Sequence, residues 1–193
     1  AVDVLGVIGG EKQNHVGDVH RLADAELLAQ GIAGEWGHNP LPWPRRDEQP
    51  GPRCWCGKEG CLETWLSGPG LAAADERAHG RKRDAIAIAE AARAGEPEAV
   101  ATLEAYRDRL ARGLAAVMNV IDPHVIVLGG GVSNIPEICD EAAKLLSRYV
   151  FSDVVATRIV RNVHGDSSGV RGAAWLWTPE QIYFRWGWCC MKC

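Results

Sequence analysis

The sequence predicts an α/β protein: one principal domain carrying a loop-rich insertion. Three observations lead there: a long amphipathic helix, a β-branched run ending in three glycines, and the order helix, strand, glycine turn, helix, strand, helix. Residues 1–30 offer one weak helical pattern, within HVGDVHRLADAELLAQ, and no clear strand pair. From Gly31 to about Gly70 the chain is rich in Gly, Pro, Trp and Cys with little periodicity. Loops and short hairpin-like pieces follow from that composition, and they need an external tie, which a metal would supply. Arg83 to Arg93 is Ala-rich and predicts a helix. A second helix starts near Pro97, a residue suited to a first turn, with an apolar stripe of Val100, Leu103, Tyr106, Leu110, Leu114, Val117 and Ile121. Asp122-Pro123-His124 ends it, Val125 to Leu128 reads as a buried strand, and Gly129-Gly130-Gly131 as a flexible turn. Pro136 to Tyr149 predicts a helix, Thr157 to Val163 a strand, and Val170 to Trp177 a final helix. No internal repeat or low-complexity linker interrupts this order.

Composition narrows the function. The chain has 193 residues, 47% hydrophobic and 24% charged, an ordinary globular balance that excludes disordered and fibrous classes. Lys plus Arg number 21 against 25 Asp plus Glu, a net charge of −4, which lacks the basic surface that a nucleic-acid backbone demands. No apolar run approaches the roughly 20 residues that span a bilayer, and the first residues lack a basic segment leading into a long apolar stretch. The expectation is a cytoplasmic protein with neither nucleic-acid nor membrane partners. Of seven cysteines, Cys54, Cys56 and Cys61 sit together, Cys189, Cys190 and Cys193 crowd the end, and Cys139 stands alone. An odd count is a poor disulfide framework, and close cysteines with a nearby histidine more often bind metal.

The sharpest local pattern is His38 followed by Cys54-Trp55-Cys56-Gly57-Lys58-Glu59-Gly60-Cys61. Three thiolates and one imidazole make the closed tetrahedral set of a structural zinc, with no position left to activate water. The alternative is three unrelated buried thiols. Two acids flank the set: Glu35, three residues before His38, and Glu63, two after Cys61. Ordered beside a clamped loop they can accept hydrogen bonds from sugar hydroxyls; spacing alone favours solvated loop acids.

Gly31-Ile32-Ala33-Gly34-Glu35-Trp36-Gly37-His38-Asn39-Pro40-Leu41-Pro42-Trp43, followed by CWCGKEGCLETWLSG, resembles the signature of the ROK family of sugar kinases and repressors. Its GHNPLPW wording is most similar to bacterial fructokinases and mannokinases. Asp122 to Ser133 resembles the family's later nucleotide-binding segment, and His164 to Trp177 its C-terminal close. The resemblance implies the C-terminal lobe of an actin-like ATPase (ribonuclease H-like) sugar kinase with a zinc-binding loop at 38–61. It implies zinc on His38, Cys54, Cys56 and Cys61, and sugar hydroxyls on Glu35, His38 and Glu63. One ring nitrogen of His38 would then face the metal and the other the sugar. Gly129, Gly130 and Gly131 would admit the adenosine part of Mg-ATP, since a Cβ would block that approach; without the resemblance, three glycines after a strand are more often a tight turn. The implied reaction is phosphorylation of a hexose, fructose first, by a homodimer.

The departures are as informative. Family kinases carry a DxGGT-like phosphate loop, an Asn-Asp pair supplying the catalytic base, and a GTGxGGG-like turn shortly before the segment matching Gly31. Residues 1–30 hold none of these. The tail at 178–193, TPEQIYFRWGWCCMKC, has a Trp and Cys content that a soluble surface avoids. The expectation is therefore a kinase lobe at 31–177 flanked by out-of-frame or incomplete ends. None of Asp47, Asp75, Asp84 or Asp108 lies in a matching motif, so no catalytic base is assigned and the chain alone is expected to be inactive. Two rival readings remain: a sugar-responsive repressor lobe, and a non-catalytic zinc-stabilised sugar-binding module. Nothing here supplies a repressor's helix-turn-helix, and Arg45-Arg46 and Arg81-Lys82-Arg83, too small for a DNA face, read as lying on solvated loops or a helix start.

Overall fold

A computed structural model describes the backbone of residues 4–8 and residues 36–165 in full. The helix beginning at Pro97 is its axis. In chain order the elements are β1 (Val4–Ile8), α1 (Leu62–Leu66), α2 (Gly68–His79), α3 (Ala85–Arg93), α4 (Pro97–Ile121), β2 (Val125–Leu128), α5 (Glu137–Leu145) and β3 (Arg158–Arg161). The sheet order is β1-β2-β3. Strands β2 and β3 pair in parallel, from Val125 opposite Arg158 to Leu128 opposite Arg161, and α5 makes the crossover that a parallel pair requires.

Strand β1 pairs antiparallel with β2, where the sequence predicts no strand pair. VLGVI is short and split by Gly6, and the ladder slips between Val4 and Val7, the local irregularity that a strand glycine permits. The predicted helix Val170 to Trp177 lies outside the described residues.

Helix α4 buries Leu103, Tyr106, Leu110 and Leu114 as the stripe predicts. Val100 and Val117 are only half-buried, and Ile121 is exposed in the last turn, beyond the core. The buried face is wider than an apolar template can show, because it also takes in Thr102, Asp108 and Arg112. Helix α2 was not anticipated: it buries only Gly70, Leu71 and Asp75, too few to print a stripe. What starts it is Ser67, whose Oγ accepts from the Gly70 N–H at 3.0 Å, with Pro69 in the first turn. Helix α3 begins at Ala85, capped by Asp84 through the Ala87 N–H. Helix α5 occupies the first part of the predicted 136–149 segment and passes into a 3-10 turn at Leu146–Arg148.

The basic clusters are not simply solvated. Arg83 binds Asp75, which is fully buried and also accepts from Thr102 at 2.8 Å. Arg45 pairs with Asp108 at 2.9 Å. A second buried ionic group joins Glu48 to Arg112, with guanidinium-to-carboxylate distances of 2.7 and 2.8 Å, and Arg112 also donates to the carbonyls of Pro42 and Trp43. The loop carrying these residues is thereby tied to the middle of α4.

Candidate metal and sugar site

Trp36-Gly37-His38 form a single 3-10 turn. It can lie close to α4 because residue 113 is glycine: a Cβ there would stand 2.7 Å from Trp36 Cζ2 and 3.1 Å from Leu62 Cδ2. From this turn the chain is laced to the cysteine loop by backbone. Leu62 N–H donates to Asn39, Leu41 N–H to Gly60 and Gly60 N–H to Pro52, each at 2.9 Å. The cysteine loop itself folds back between Cys54 and Lys58, where the Cys54 N–H donates to the Lys58 carbonyl at 2.8 Å. Gly57 at φ +89° and Gly60 at φ +72° supply left-handed backbone at its two bends.

The result brings together the four predicted ligands. One donor atom from each of His38, Cys54, Cys56 and Cys61 lies within 4.8 Å of the others. Cys54 Sγ is 3.6 Å from His38 Nδ1, and Cys56 Sγ is 3.6 Å from Cys61 Sγ. Zinc–sulfur bonds of about 2.3 Å give a tetrahedral edge of about 3.8 Å, which these two 3.6 Å spacings approach. Nδ1 of His38 is the ring nitrogen beside Cys54 Sγ, with Nε2 on the other side of the ring. Burial, followed by the neighbouring Cys56 and Cys54, pushes the Cys61 thiol up to about 12. The backbone N–H of Lys58 is the foremost influence holding Cys56 below the ordinary thiol range. A cation at the cluster would favour the thiolate of Cys61 that burial disfavours.

Glu63 stands in the first turn of α1 and turns its carboxylate to this cluster. Its Oε2 accepts from Trp55 Nε1 at 3.1 Å and lies 3.7 Å from His38 Nδ1. Trp55 is also edge-on to the His38 ring, with centroids 4.8 Å apart. Sequence reasoning overlooked Trp55; its place between two ligand cysteines was the available signal. Glu35 lies outside the described residues.

Gly129, Gly130 and Gly131 follow the carboxyl end of β2, the end at which α/β sheets place ligands. Gly130 has φ +75°, a side chain added at Gly131 would meet nothing within 4 Å, and Ser133 Oγ donates back to the Gly130 carbonyl at 2.7 Å. Val132 packs near Gly68, the first residue of α2, so α1 and α2 connect the cysteine loop to the glycine turn. Of the four aspartates weighed as bases, Asp75 and Asp108 are buried in ion pairs, Asp84 caps α3, and Asp47 is exposed on the 3-10 turn Arg46–Glu48. Among the described residues no helix is long and apolar enough to cross a membrane.

Comparison with known proteins agrees with the motifs. A family model described as the ROK family matches residues 29–180. The chain is 40% identical over 149 residues to an N-acetyl-D-glucosamine kinase of Vibrio atlanticus (strain LGP32), covering 75% of this chain and 49% of that protein. Among solved structures it resembles a ROK family glucokinase from Streptomyces griseus in complex with glucose and AMPPNP, with TM-score 0.64, 26% identity, and coverage of 76% of this chain and 51% of that one. It also resembles a ROK family transcriptional regulator, a homologue of the E. coli MLC protein, with TM-score 0.53, 25% identity, and coverage of 67% and 34%. The chain thus spans about half the length of the kinases it matches.

Proposed function

This chain belongs to the ROK family, and from that premise we propose that it is the sugar-binding lobe of an ATP-dependent hexose kinase, ordered by a structural zinc. The observation that carries the reading is the convergence of His38, Cys54, Cys56 and Cys61 within 4.8 Å, with Glu63 at its edge. Zinc would close the loop and leave no position for substrate, so its chemistry here is to fix backbone. Glu35 and Glu63 accept hydrogen bonds from sugar hydroxyls, and His38 offers Nε2 on the side away from the sulfurs. Gly129 to Gly131 present open backbone to the adenosine part of Mg-ATP.

In the whole kinase the transfer would be in line, driven by positioning and charge neutralisation, with an aspartate taking the hydroxyl proton. Asp75, Asp84 and Asp108 of this lobe are already committed to structural partners and exposed Asp47 lies in no matching motif, so the proposal takes that base from elsewhere in the protein. The GHNPLPW wording points to fructose, while the matched kinases carry the names of N-acetylglucosamine and glucose enzymes; we place those two sugars ahead of fructose. A cytoplasmic homodimer completes the proposal.

Calorimetric titration of the zinc-loaded chain with N-acetylglucosamine, glucose, fructose and AMPPNP tests it, with sugar and nucleotide both expected to bind. The likeness to a ROK regulator favours one other reading, a repressor lobe. Saturable sugar binding with no response to AMPPNP would select that alternative.

A further inference from the structure

Trp55 is flanked by Cys54 and Cys56, yet its side chain is turned outward and is 80% exposed. A scattered exposed aromatic needs no explanation by itself. This one makes two directed contacts: its Nε1 donates to Glu63 Oε2 at 3.1 Å, and its ring meets the His38 ring at 84°. The second carboxylate oxygen of Glu63, Oε1, takes no hydrogen bond among the described residues. Among the described residues the carboxylate is therefore divided, with one oxygen held and the other without a hydrogen bond.

We propose that Trp55 is a positioning residue for sugar binding: its indole N–H fixes the Glu63 carboxylate so that Oε1 is presented to a sugar hydroxyl, and the cysteines on either side fix Trp55. The inference rests on the reading of Glu63 as a sugar contact. An unheld glutamate samples many rotamers and loses that freedom when ligand binds, whereas a carboxylate already held has less to lose. The indole suits the task because it is a donor only and cannot compete for the sugar's own hydroxyl protons. A coupling follows as well. Metal at the four ligands orders Trp55, Trp55 orders Glu63, and by linkage a bound sugar must tighten the metal by the same factor with which the metal tightens the sugar.

The test compares the zinc-loaded chain with Trp55→Phe, which keeps the ring and removes the N–H, and with Glu63→Gln. Zinc content, affinity for N-acetylglucosamine and glucose, and the indole N–H resonances are measured in each. Glu63→Gln should displace the Trp55 indole resonance and raise the sugar dissociation constant tenfold or more, as loss of a charge-assisted hydrogen bond does. Trp55→Phe should retain its zinc and raise that constant threefold to tenfold. Unchanged affinity in Trp55→Phe beside a weakened Glu63→Gln overturns the positioning role and leaves the sugar site standing. Unchanged affinity in both, or no sugar uptake by the parent chain, overturns the reading of Glu63 and the inference with it. An indole resonance indifferent to Glu63→Gln refutes the hydrogen bond directly, without reference to sugar.

Discussion

Replacing Glu48 with glutamine should cost the fold about 3 kcal/mol at neutral pH and almost nothing in strong acid. Glu48 is 3% exposed, and its carboxylate accepts from Arg112 through both terminal nitrogens, from Arg109 Nε and from the Arg45 backbone N–H, at 2.7 to 2.8 Å. Burial alone would raise its pKa; Arg112 first, then the Arg45 N–H and Arg109, override that and hold it at about 2 instead of 4.5. A difference of that size corresponds to about 3 kcal/mol. Because the folded value is depressed, the contribution is complete above the unfolded pKa of 4.5 and drains away as pH falls towards 2. In the variant Arg112 keeps Asp108 at 3.0 Å and two backbone carbonyls, so it is not stranded, and the loss stays at the low end of the roughly 3–5 kcal/mol for breaking a buried pair. Urea unfolding of both proteins at pH 7, 5, 4, 3 and 2 measures the gap. A gap below about 1 kcal/mol at pH 7, or one that persists undiminished to pH 2, would refute the reasoning.

Three further outcomes are expected. Protein purified under reducing conditions should hold one zinc per chain, and chelation should lower its melting temperature; a zinc ratio near zero with no thermal effect of chelator removes the metal centre. Gly113→Ala places a methyl 2.7 Å from Trp36 Cζ2 and should cost about 1–3 kcal/mol through overpacking while shifting the Trp36 indole resonance, both absent if the turn at 36–38 is not seated on α4. The chain alone should release no ADP in a coupled assay with N-acetylglucosamine, glucose or fructose; hexose-dependent turnover would show that one of its own aspartates serves as base.

The parts legible in the sequence were those in which one physical signal dominates. The stripe on α4, the β-branched strand β2 and the Ala-rich α3 each obey a simple period or propensity. The convergence of His38, Cys54, Cys56 and Cys61 was legible because the chemistry of a proposed metal site demands particular side chains whatever the backbone does between them. Helix α2 was not, since a start at Gly-Pro-Gly reads as a turn and its main buried polar group, Asp75, reads as surface until Arg83 and Thr102 are known to meet it. Arg112 and Glu48 were hidden for the same reason: they are 64 positions apart, and charged residues are assigned to solvent unless a partner is visible. Trp55 was hidden because its hydrogen bond to Glu63, eight positions away, exists only once the cysteine loop has folded back.

Among the attachments that hold the segment from Trp36 to Cys61, two are neighbours on one turn of α4. Trp36 seats on Gly113, and Arg112 grips Glu48 together with the carbonyls of Pro42 and Trp43. Arg109, three residues earlier, bonds Glu48 and lies over the Trp65 ring at 4.5 Å, which extends the same support to α1. The stretch from Cys54 to Gly60 has no such grip from α4 among the described residues: backbone bonds of Gly60 to Pro52 and Leu41 hold one end, and the proposed metal at the cysteine cluster would hold the rest. Removing the metal should therefore loosen this stretch without releasing Leu41, whose side chain is in the core, or Glu48, whose partners are on the helix. On chelation the amides of Cys54 and Gly57, which donate within the cysteine loop, should lose hydrogen-exchange protection, while those of α4 keep theirs. Loss of protection throughout α4 would mean that the metal supports the whole lobe and that the ionic grip of Arg112 is secondary to it.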